Sequence, residues 1–134
     1  MKKIIFILLA AALLSLAGCK SEPACTSEFA PQSGTYSAEA TESSVVSPRL
    51  DIDFEKKTFA FSFDALSSYW AHGNFETDAA GYLLKCTTDD GRFFYNFHIT
   101  STGSIEFVAE GSSPIDMIQG EPSVVDGTEF KLKQ

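Results

Sequence analysis

The chain has 134 residues with 18 acidic and 10 basic side chains, so its formal net charge is −8 at neutral pH. An acidic balance of this size repels the phosphates of nucleic acids and anionic lipid headgroups, and we therefore exclude nucleic-acid binding. A cationic partner would be attracted, although acidic surfaces also keep proteins soluble. The three cysteines have no spacing that is typical of a metal site.

The N-terminal segment has the layout of a bacterial export signal: two lysines, then an apolar run, then small residues. The run covers residues 4–14 and is shorter than the roughly 20 residues of a spanning helix. Leu16-Ala17-Gly18-Cys19 resembles the lipobox of bacterial lipoproteins. The resemblance implies that residues 1–18 are a signal peptide and that Cys19 receives a diacylglyceryl group. An uncleaved anchor helix and a secretory signal with an unmodified cysteine are the alternatives.

Such an anchor places the folded part outside the cytoplasm, on the cell membrane or an outer membrane, since two or three acyl chains give stable attachment. Residues 19–33 are rich in Ser, Pro, Glu and small residues, which predicts a flexible tether, with an edge strand near Phe29 as the alternative. Residues 34–134 are long enough for one domain. We expect Cys25 to be free in the tether and Cys86 to be a small buried apolar residue.

From residue 34 onward, short runs of alternating apolar and polar residues are separated by turn residues, which is typical of an all-β sandwich or barrel. In chain order, the predicted strands are 35–39, 49–54, 58–63, 69–77, 82–88, 92–100, 104–110 and 128–133. Eight strands in simple succession favour an up-and-down antiparallel barrel, which exposes no sheet edge. A two-sheet sandwich is the main alternative.

The alternation also predicts which side chains point inward. The clearest strand is the third, where three phenylalanines share one face. The predicted inward residues are Leu50, Ile52, Phe54, Phe59, Phe61, Phe63, Tyr82, Leu84, Cys86, Phe93, Tyr95, Phe97, Ile99, Ile105, Phe107, Phe130 and Leu132. Asp90-Gly91 predicts a tight hairpin with positive φ at both residues. In the long irregular stretch 111–127, we expect Ile115, Ile118 and Val124 to cap one end of the core.

Gly34-Thr35-Tyr36 resembles the Gly-x-aromatic opening of lipocalin-like (calycin) barrels. Further phrases resemble a group of small bacterial lipoproteins: Leu66-Ser67-Ser68-Tyr69, Gly73-Asn74-Phe75, Thr88-Asp89-Asp90-Gly91, Tyr95-x-Phe97, Gly111-Ser112-Ser113 and Asp126-Gly127-Thr128-x-Phe130. The likeness spans residues 34–132. These motifs are turn and core signatures, so the resemblance implies a fold and carries no catalytic residue.

No catalytic motif occurs, and neither a Gly-x-Ser-x-Gly nor a Ser-x-x-Lys sequence is present. We interpret His72 and His98, which lie on different strands, as unrelated surface residues rather than a metal or catalytic pair. Asp89-Asp90 offers oxygen ligands for calcium, but the hairpin turn accounts for it and the full calcium-loop pattern is absent. We therefore expect a protein without a metal, a cofactor or enzymatic activity.

Trp70 and Phe94 alternate with the inward residues, so we expect both to be exposed and to contact a ligand or partner. The alternative is that each only covers a neighbouring strand. Ser67-Ser68 and Ser112-Ser113 fall in loops, where serines hydrogen-bond the turn backbone or frame a ligand at one barrel mouth. Two hypotheses follow for this membrane-anchored chain. It is either a binding module for a small apolar ligand or an envelope protein, or an accessory lipoprotein that acts only through protein contacts.

Overall fold

The computed structural model describes residues 31–40, 46–118 and 120–134. These residues form eight strands and, within that part of the chain, no helix. The strands are β1 (Gly34–Ser37), β2 (Arg49–Asp53), β3 (Thr58–Ser62), β4 (Ala71–Thr77), β5 (Leu83–Thr88), β6 (Phe94–Ile99), β7 (Ile105–Val108) and β8 (Glu129–Leu132). The predicted signal peptide, Cys19, Cys25 and most of the predicted tether lie outside the described residues.

Each strand pairs antiparallel with the next one along the chain, and β8 pairs with β1, so the sheet closes into a barrel. The closing register places Tyr36 opposite Leu132 and Ser37 opposite Lys131. The predicted up-and-down barrel of eight strands is therefore confirmed, and the sandwich alternative is wrong. Each predicted strand overlaps an observed one. The observed β1 begins one residue earlier than predicted and ends two residues earlier, and the other seven observed strands lie within the predicted ranges and are shorter at one or both ends.

Alternation fixes the register of neighbouring strands, as β2 and β3 illustrate. Leu50 lies opposite Phe61 and Ile52 opposite Phe59, and all four side chains are buried. Asp51 lies between Leu50 and Ile52 on the outer face. A slip of one residue would carry that carboxylate into the apolar interior, so the hydrophobic pattern excludes registers shifted by one residue.

Aromatic rings fill the middle of the barrel. The Phe61 ring is fully buried, and its centroid lies 5.2 Å from those of Tyr95 and Phe97, 6.0 Å from Phe130 and 6.2 Å from Phe107. Most of these pairs meet edge to face, which is the geometry that the charge distribution of aromatic rings favours. The large side chains that the sequence pattern placed inside therefore pack against one another at the barrel axis.

Most of the predicted inward residues are buried, including Cys86, whose thiol is free. Phe54, Phe63, Phe93 and Leu132 are partly buried and pack against the core from the strand ends. Tyr82 is a wrong prediction, because 44% of its surface is exposed. Its N–H donates to the Asp78 carboxylate (2.8 Å), so Tyr82 belongs to the turn before β5 and lies outside the pleat.

Three hairpins share one turn design, in which a carbonyl accepts from the N–H of a glycine three residues later. The turns are Asp78–Gly81, Thr88–Gly91 and Thr100–Gly103. In each, the glycine has positive φ. The prediction of positive φ at Asp90 is wrong, since Lys57 is the one non-glycine residue with positive φ in the described chain. The connection between β5 and β6 is five residues long (89–93) rather than a two-residue turn, and within it only Gly91 has the left-handed conformation.

The barrel has two different ends. The connections 38–48, 63–70, 89–93 and 109–128 meet at one end, which we call the loop end. The short turns meet at the other, the turn end, where the chain also enters β1. Within the described ranges, no helix is long and apolar enough to cross a bilayer.

Candidate functional site

Exposed large apolar side chains concentrate at the loop end. Eight such residues occur in the described chain, and Tyr82 is the one at the turn end. The other seven, which we call the loop-end patch, are Val46, Leu66, Tyr69, Trp70, Phe94, Ile118 and Val125. Apolar residues scattered singly over a surface need no explanation, so it is the concentration of seven such residues at one end that singles out the loop end.

Trp70 is the most prominent aromatic residue of the patch, with 60% of its surface exposed, as predicted. It directly precedes β4, and its carbonyl accepts a hydrogen bond from Nδ1 of His72 (2.9 Å). The preceding loop is held by Ser67, whose hydroxyl donates to the Tyr69 carbonyl (3.0 Å) and accepts from the Tyr69 N–H (3.2 Å). Ser67 therefore shapes the segment that presents Trp70, while Ser68 is exposed.

A groove of about 260 Å³ lies beside Trp70 on the outer surface of β1, β2 and β3. Its apolar lining comes from Val46, Ala60 and Trp70, and Arg49 and Lys133 contribute basic groups. Small outward residues on the strands leave this space open. The groove is lined mainly by outward-facing residues of the wall.

Phe94 opens β6 and has 47% of its surface exposed, again as predicted. It lines a different groove, of about 470 Å³, on the outer surface of β4, β5 and β6 together with Thr87, Asn96 and Gly111. The structure thus brings the four predicted serines and both aromatics to the same end of the barrel. It does not bring Trp70 and Phe94 into one pocket.

Ser112 and Ser113 hold the first residues of β6 in place. The Ser113 hydroxyl accepts from the Phe94 N–H (2.9 Å), and the Ser113 N–H donates to the Phe94 carbonyl (2.7 Å). The Ser112 hydroxyl accepts from the Asn96 N–H (2.8 Å) and donates to the Val108 carbonyl (2.6 Å). Both hydroxyls are thus engaged by backbone groups, which matches the backbone alternative of the sequence prediction.

Two buried polar residues that sequence reasoning missed fasten the longest loop across the loop end. The Asp64 carboxylate accepts from the N–H groups of Leu66 and Ile118, at 2.9 Å each. The Ser123 hydroxyl donates to the Phe63 carbonyl (2.8 Å). The bond to Leu66 is an Asx turn that the sequence signals, because Asp favours bonding to the N–H two residues on. No local pattern signals the contact with Ile118.

In the connection 109–128, two of the three residues predicted to cap the core are confirmed. Val124 is buried and Ile115 packs against the core. Ile118 is a wrong prediction, since 62% of its surface is exposed. Its N–H bond to Asp64 holds the backbone at the barrel mouth, so the side chain projects outward and joins the loop-end patch.

His72, Asp89 and Asp90 have local structural partners. Nε2 of His72 lies 3.4 Å from the Asp89 carboxylate, and His98 lies on the outer face of β6, near the turn end. The Asp90 carboxylate accepts from the Thr88 hydroxyl (2.6 Å) and the Arg92 N–H (3.1 Å), and these bonds lower its pKa. Among the described residues, no three His, Cys, Asp or Glu side chains converge as metal ligands.

The Cys86 thiol is enclosed by the core. Burial raises its pKa well above the ordinary thiol value. The thiolate is the nucleophilic form of cysteine, and a raised pKa disfavours it. Cys86 therefore acts as a small apolar residue.

Comparison of the chain with protein-family models, curated proteins and solved structures finds no match.

Proposed function

We propose that this chain is a lipid-anchored, non-catalytic binding module of the bacterial cell envelope that acts through protein contacts at the loop end. The observation that carries the proposal is the position of the loop-end patch, which holds seven of the eight exposed large apolar residues of the described chain. Aromatic residues of this kind anchor protein interfaces when a partner excludes water from them.

The anchored part of the proposal rests on Leu16-Ala17-Gly18-Cys19. A lipid on Cys19 would hold the module at the extracytoplasmic face of the cell membrane or an outer membrane. The chain enters β1 at the turn end, so the loop end lies at the pole away from the attachment. The eight-stranded up-and-down order also supports the proposal of a lipocalin-like lipoprotein.

A ligand inside the barrel is disfavoured by its packing. The rings around Phe61 occupy the axis, and a lumen ligand would have to displace several of them. Interiors packed in this way resist a change of even one methylene group. For a small apolar ligand, the groove beside Trp70 is the better second candidate. Its volume of about 260 Å³ is below the roughly 300–1,000 Å³ of small-molecule pockets, so it suits one side chain of a protein partner better.

The charges around the patch indicate the chemistry of the partner. Glu110, Asp116, Glu121 and Asp126 are exposed in the same loop as Ile118. Opposite charges steer association and suppress wrong partners. The partner that fits is a protein with an apolar centre and a rim of lysine and arginine.

A site-specific photo-crosslinking experiment in the native host tests this proposal. A photoreactive phenylalanine analogue replaces Trp70, Phe94 or, as the control, Tyr82, which is an exposed aromatic at the opposite end. We expect the same protein adduct from Trp70 and Phe94 and none from Tyr82. Equal adducts at all three positions, or none at the loop end, would contradict the proposal. A retained ligand of a few hundred daltons in native mass spectrometry, abolished by Trp70→Ala, would support the small-ligand candidate instead.

A further inference from the structure

The His72 side chain connects two segments of the loop end that belong to different strands. Its Nδ1 lies 2.9 Å from the carbonyl oxygen of Trp70, which precedes β4, and its Nε2 lies 3.4 Å from the carboxylate of Asp89, which follows β5. The paired register of β3 and β4 ends at Ala71 and does not extend to Trp70. The His72 ring therefore links the Trp70 carbonyl to the connection 89–93.

The backbone places the Asp89 carboxylate next to the ring. The Asp89 N–H donates to the His72 carbonyl (3.1 Å), one residue beyond the last paired residue of β5, Thr88. Asp89 and His72 are thus joined twice, once through the backbone and once through their side chains. The carboxylate has a fixed position relative to the imidazole.

Asp89 is the charged group that faces His72 from the neighbouring elements. The residues next to His72 on the outer faces of β3, β4 and β5 are uncharged, namely Ala60, Asn74 and Thr87. Further along β4 and β5, Glu76 lies opposite Lys85. In the connection 89–93, the Asp90 carboxylate accepts from the Thr88 hydroxyl and from the Arg92 N–H.

Both groups that face the ring are hydrogen-bond acceptors. A neutral imidazole has one N–H and one lone pair, so it can donate to only one of them, whereas a protonated imidazole has an N–H for each. The carboxylate is the stronger acceptor, because it is ionised. A neutral His72 therefore keeps its proton on Nε2, toward Asp89, and turns a lone pair toward the Trp70 carbonyl.

We propose that His72 is a pH-sensitive clasp that holds the Trp70 backbone near pH 5 and releases it near pH 8, the range in which histidine changes charge. The protonated ring donates to Trp70 and faces Asp89, and loss of the Nδ1 proton breaks the bond to Trp70 alone. For its consequence the inference rests on the proposed function, in which Trp70 contacts a protein partner. A residue that is already ordered loses less entropy on binding, so the partner binds more tightly in acid.

Time-resolved fluorescence anisotropy of the full chain in detergent micelles tests the clasp. Trp70 is the only tryptophan of the sequence, so the signal reports on this residue alone. An exposed contact of this kind shifts an equilibrium by roughly two- to fivefold. We therefore expect the anisotropy lost to local motion of the indole to be about twofold larger at pH 8 than at pH 5. Equal local motion at the two pH values would overturn the clasp.

Two substitutions should abolish the pH response at opposite levels of motion. His72→Val has no donor, so Trp70 should move at both pH values as it does at pH 8 in the unsubstituted protein. Asp89→Asn supplies an amide that can donate to Nε2, so the neutral ring keeps its proton on Nδ1 and Trp70 should stay held at both. His98→Val removes the other histidine and should leave the response intact. The clasp is wrong if the first two variants show the same motion, or if His98→Val loses the response.

The photoreactive analogue at Phe94 separates the clasp from the proposed function. In isolated envelopes, we expect its adduct yield to be about twofold higher at pH 5 than at pH 8, and to be independent of pH in the His72→Val background. Equal yields together with pH-dependent Trp70 motion would overturn the control of binding and leave the clasp. No adduct at either pH would refute the proposed function, while the anisotropy still decides on the clasp.

Discussion

Lys57 adopts a left-handed backbone conformation with φ of 55° in the turn between β2 and β3. This conformation crowds the Cβ atom of any L-residue against the neighbouring backbone and costs about 1–2 kcal/mol, whereas glycine adopts it freely. Glycine also gives the unfolded chain more freedom, which offsets part of the gain. We therefore expect Lys57→Gly to raise the free energy of unfolding by about 0.5–1 kcal/mol in urea titrations.

The matched control is Lys56→Gly, which removes the same charge from the same turn at a residue without positive φ. The Lys56 side chain makes only an exposed ion pair with Asp53, and such pairs contribute little. Lys56→Gly should lower the free energy of unfolding. The explanation from backbone strain fails if both substitutions shift stability in the same direction.

At the scale of elements, the close approach of β4 and β5 depends on Gly73. Its position opposite Thr88 leaves no room for a side chain, because a Cβ atom there would lie 2.1 Å from the Thr87 carbonyl oxygen. The obstacle is backbone, so one strand would have to move. We expect Gly73→Ala to lower the free energy of unfolding by about 3 kcal/mol, at the upper end of the usual cost of overpacking.

Gly91→Ala is the comparison for this prediction. A Cβ atom at Gly91 meets open space, so the cost there comes only from the positive φ and amounts to about 1 kcal/mol. Chemical denaturation of both variants measures the two costs. A Gly73→Ala variant no less stable than Gly91→Ala would show that the strands separate more easily than their pairing indicates.

The strands were predictable because each one repeats a local rule. Large apolar residues alternate with polar ones, so Phe59 and Phe61 mark β3 without knowledge of its neighbours. The same rule predicted the exposure of Trp70 and Phe94. It failed for Tyr82, since this residue lies in a turn, where a period of two has no meaning. Ile118 was predicted as a capping residue of the irregular stretch 111–127, where no alternation was present to guide the prediction.

The hydrogen bonds that hold the loops of the loop end could not be predicted from the sequence in the same way. The Asp64 carboxylate and the Ile118 N–H are 54 residues apart, and the Ser123 hydroxyl bonds to a carbonyl 60 residues away. These contacts depend on where the closed barrel places its loops. The sequence showed the long irregular stretch 111–127, but its hydrogen bonds to distant residues required the structure.

At the scale of the whole molecule, the barrel separates several tasks by position. The predicted tether joins the turn end, and the apolar patch lies at the loop end. The filled interior supplies the rigidity that keeps these surfaces in fixed relation. In the proposed module, the barrel thus serves as a rigid scaffold, and the residues proposed to bind a partner lie on its outer surface.

The same filled interior predicts how the whole barrel responds to alkali. Burial of Tyr95, helped by the nearby charges of Tyr69, Asp116 and Asp90, raises its pKa to about 12. Burial also raises the pKa of Tyr36. An unfolded tyrosine titrates near pH 10. Because the folded pKa is the higher one, the stability from neutral Tyr95 is fully present below pH 10 and is lost as the pH rises toward 12.

We therefore expect the free energy of unfolding to decline between pH 10 and pH 12, with Tyr95 contributing a slope of up to about 1.4 kcal/mol per pH unit. Urea titrations across this window, with tyrosinate absorbance recorded in parallel, measure the decline. Tyr95→Phe should flatten the slope, because phenylalanine has no proton to lose. Tyr82→Phe, at an exposed position, should leave the slope unchanged. If Tyr95→Phe and the unsubstituted protein lose stability with the same slope, the ionisation of Tyr95 does not limit the barrel in alkali, and other groups must be responsible.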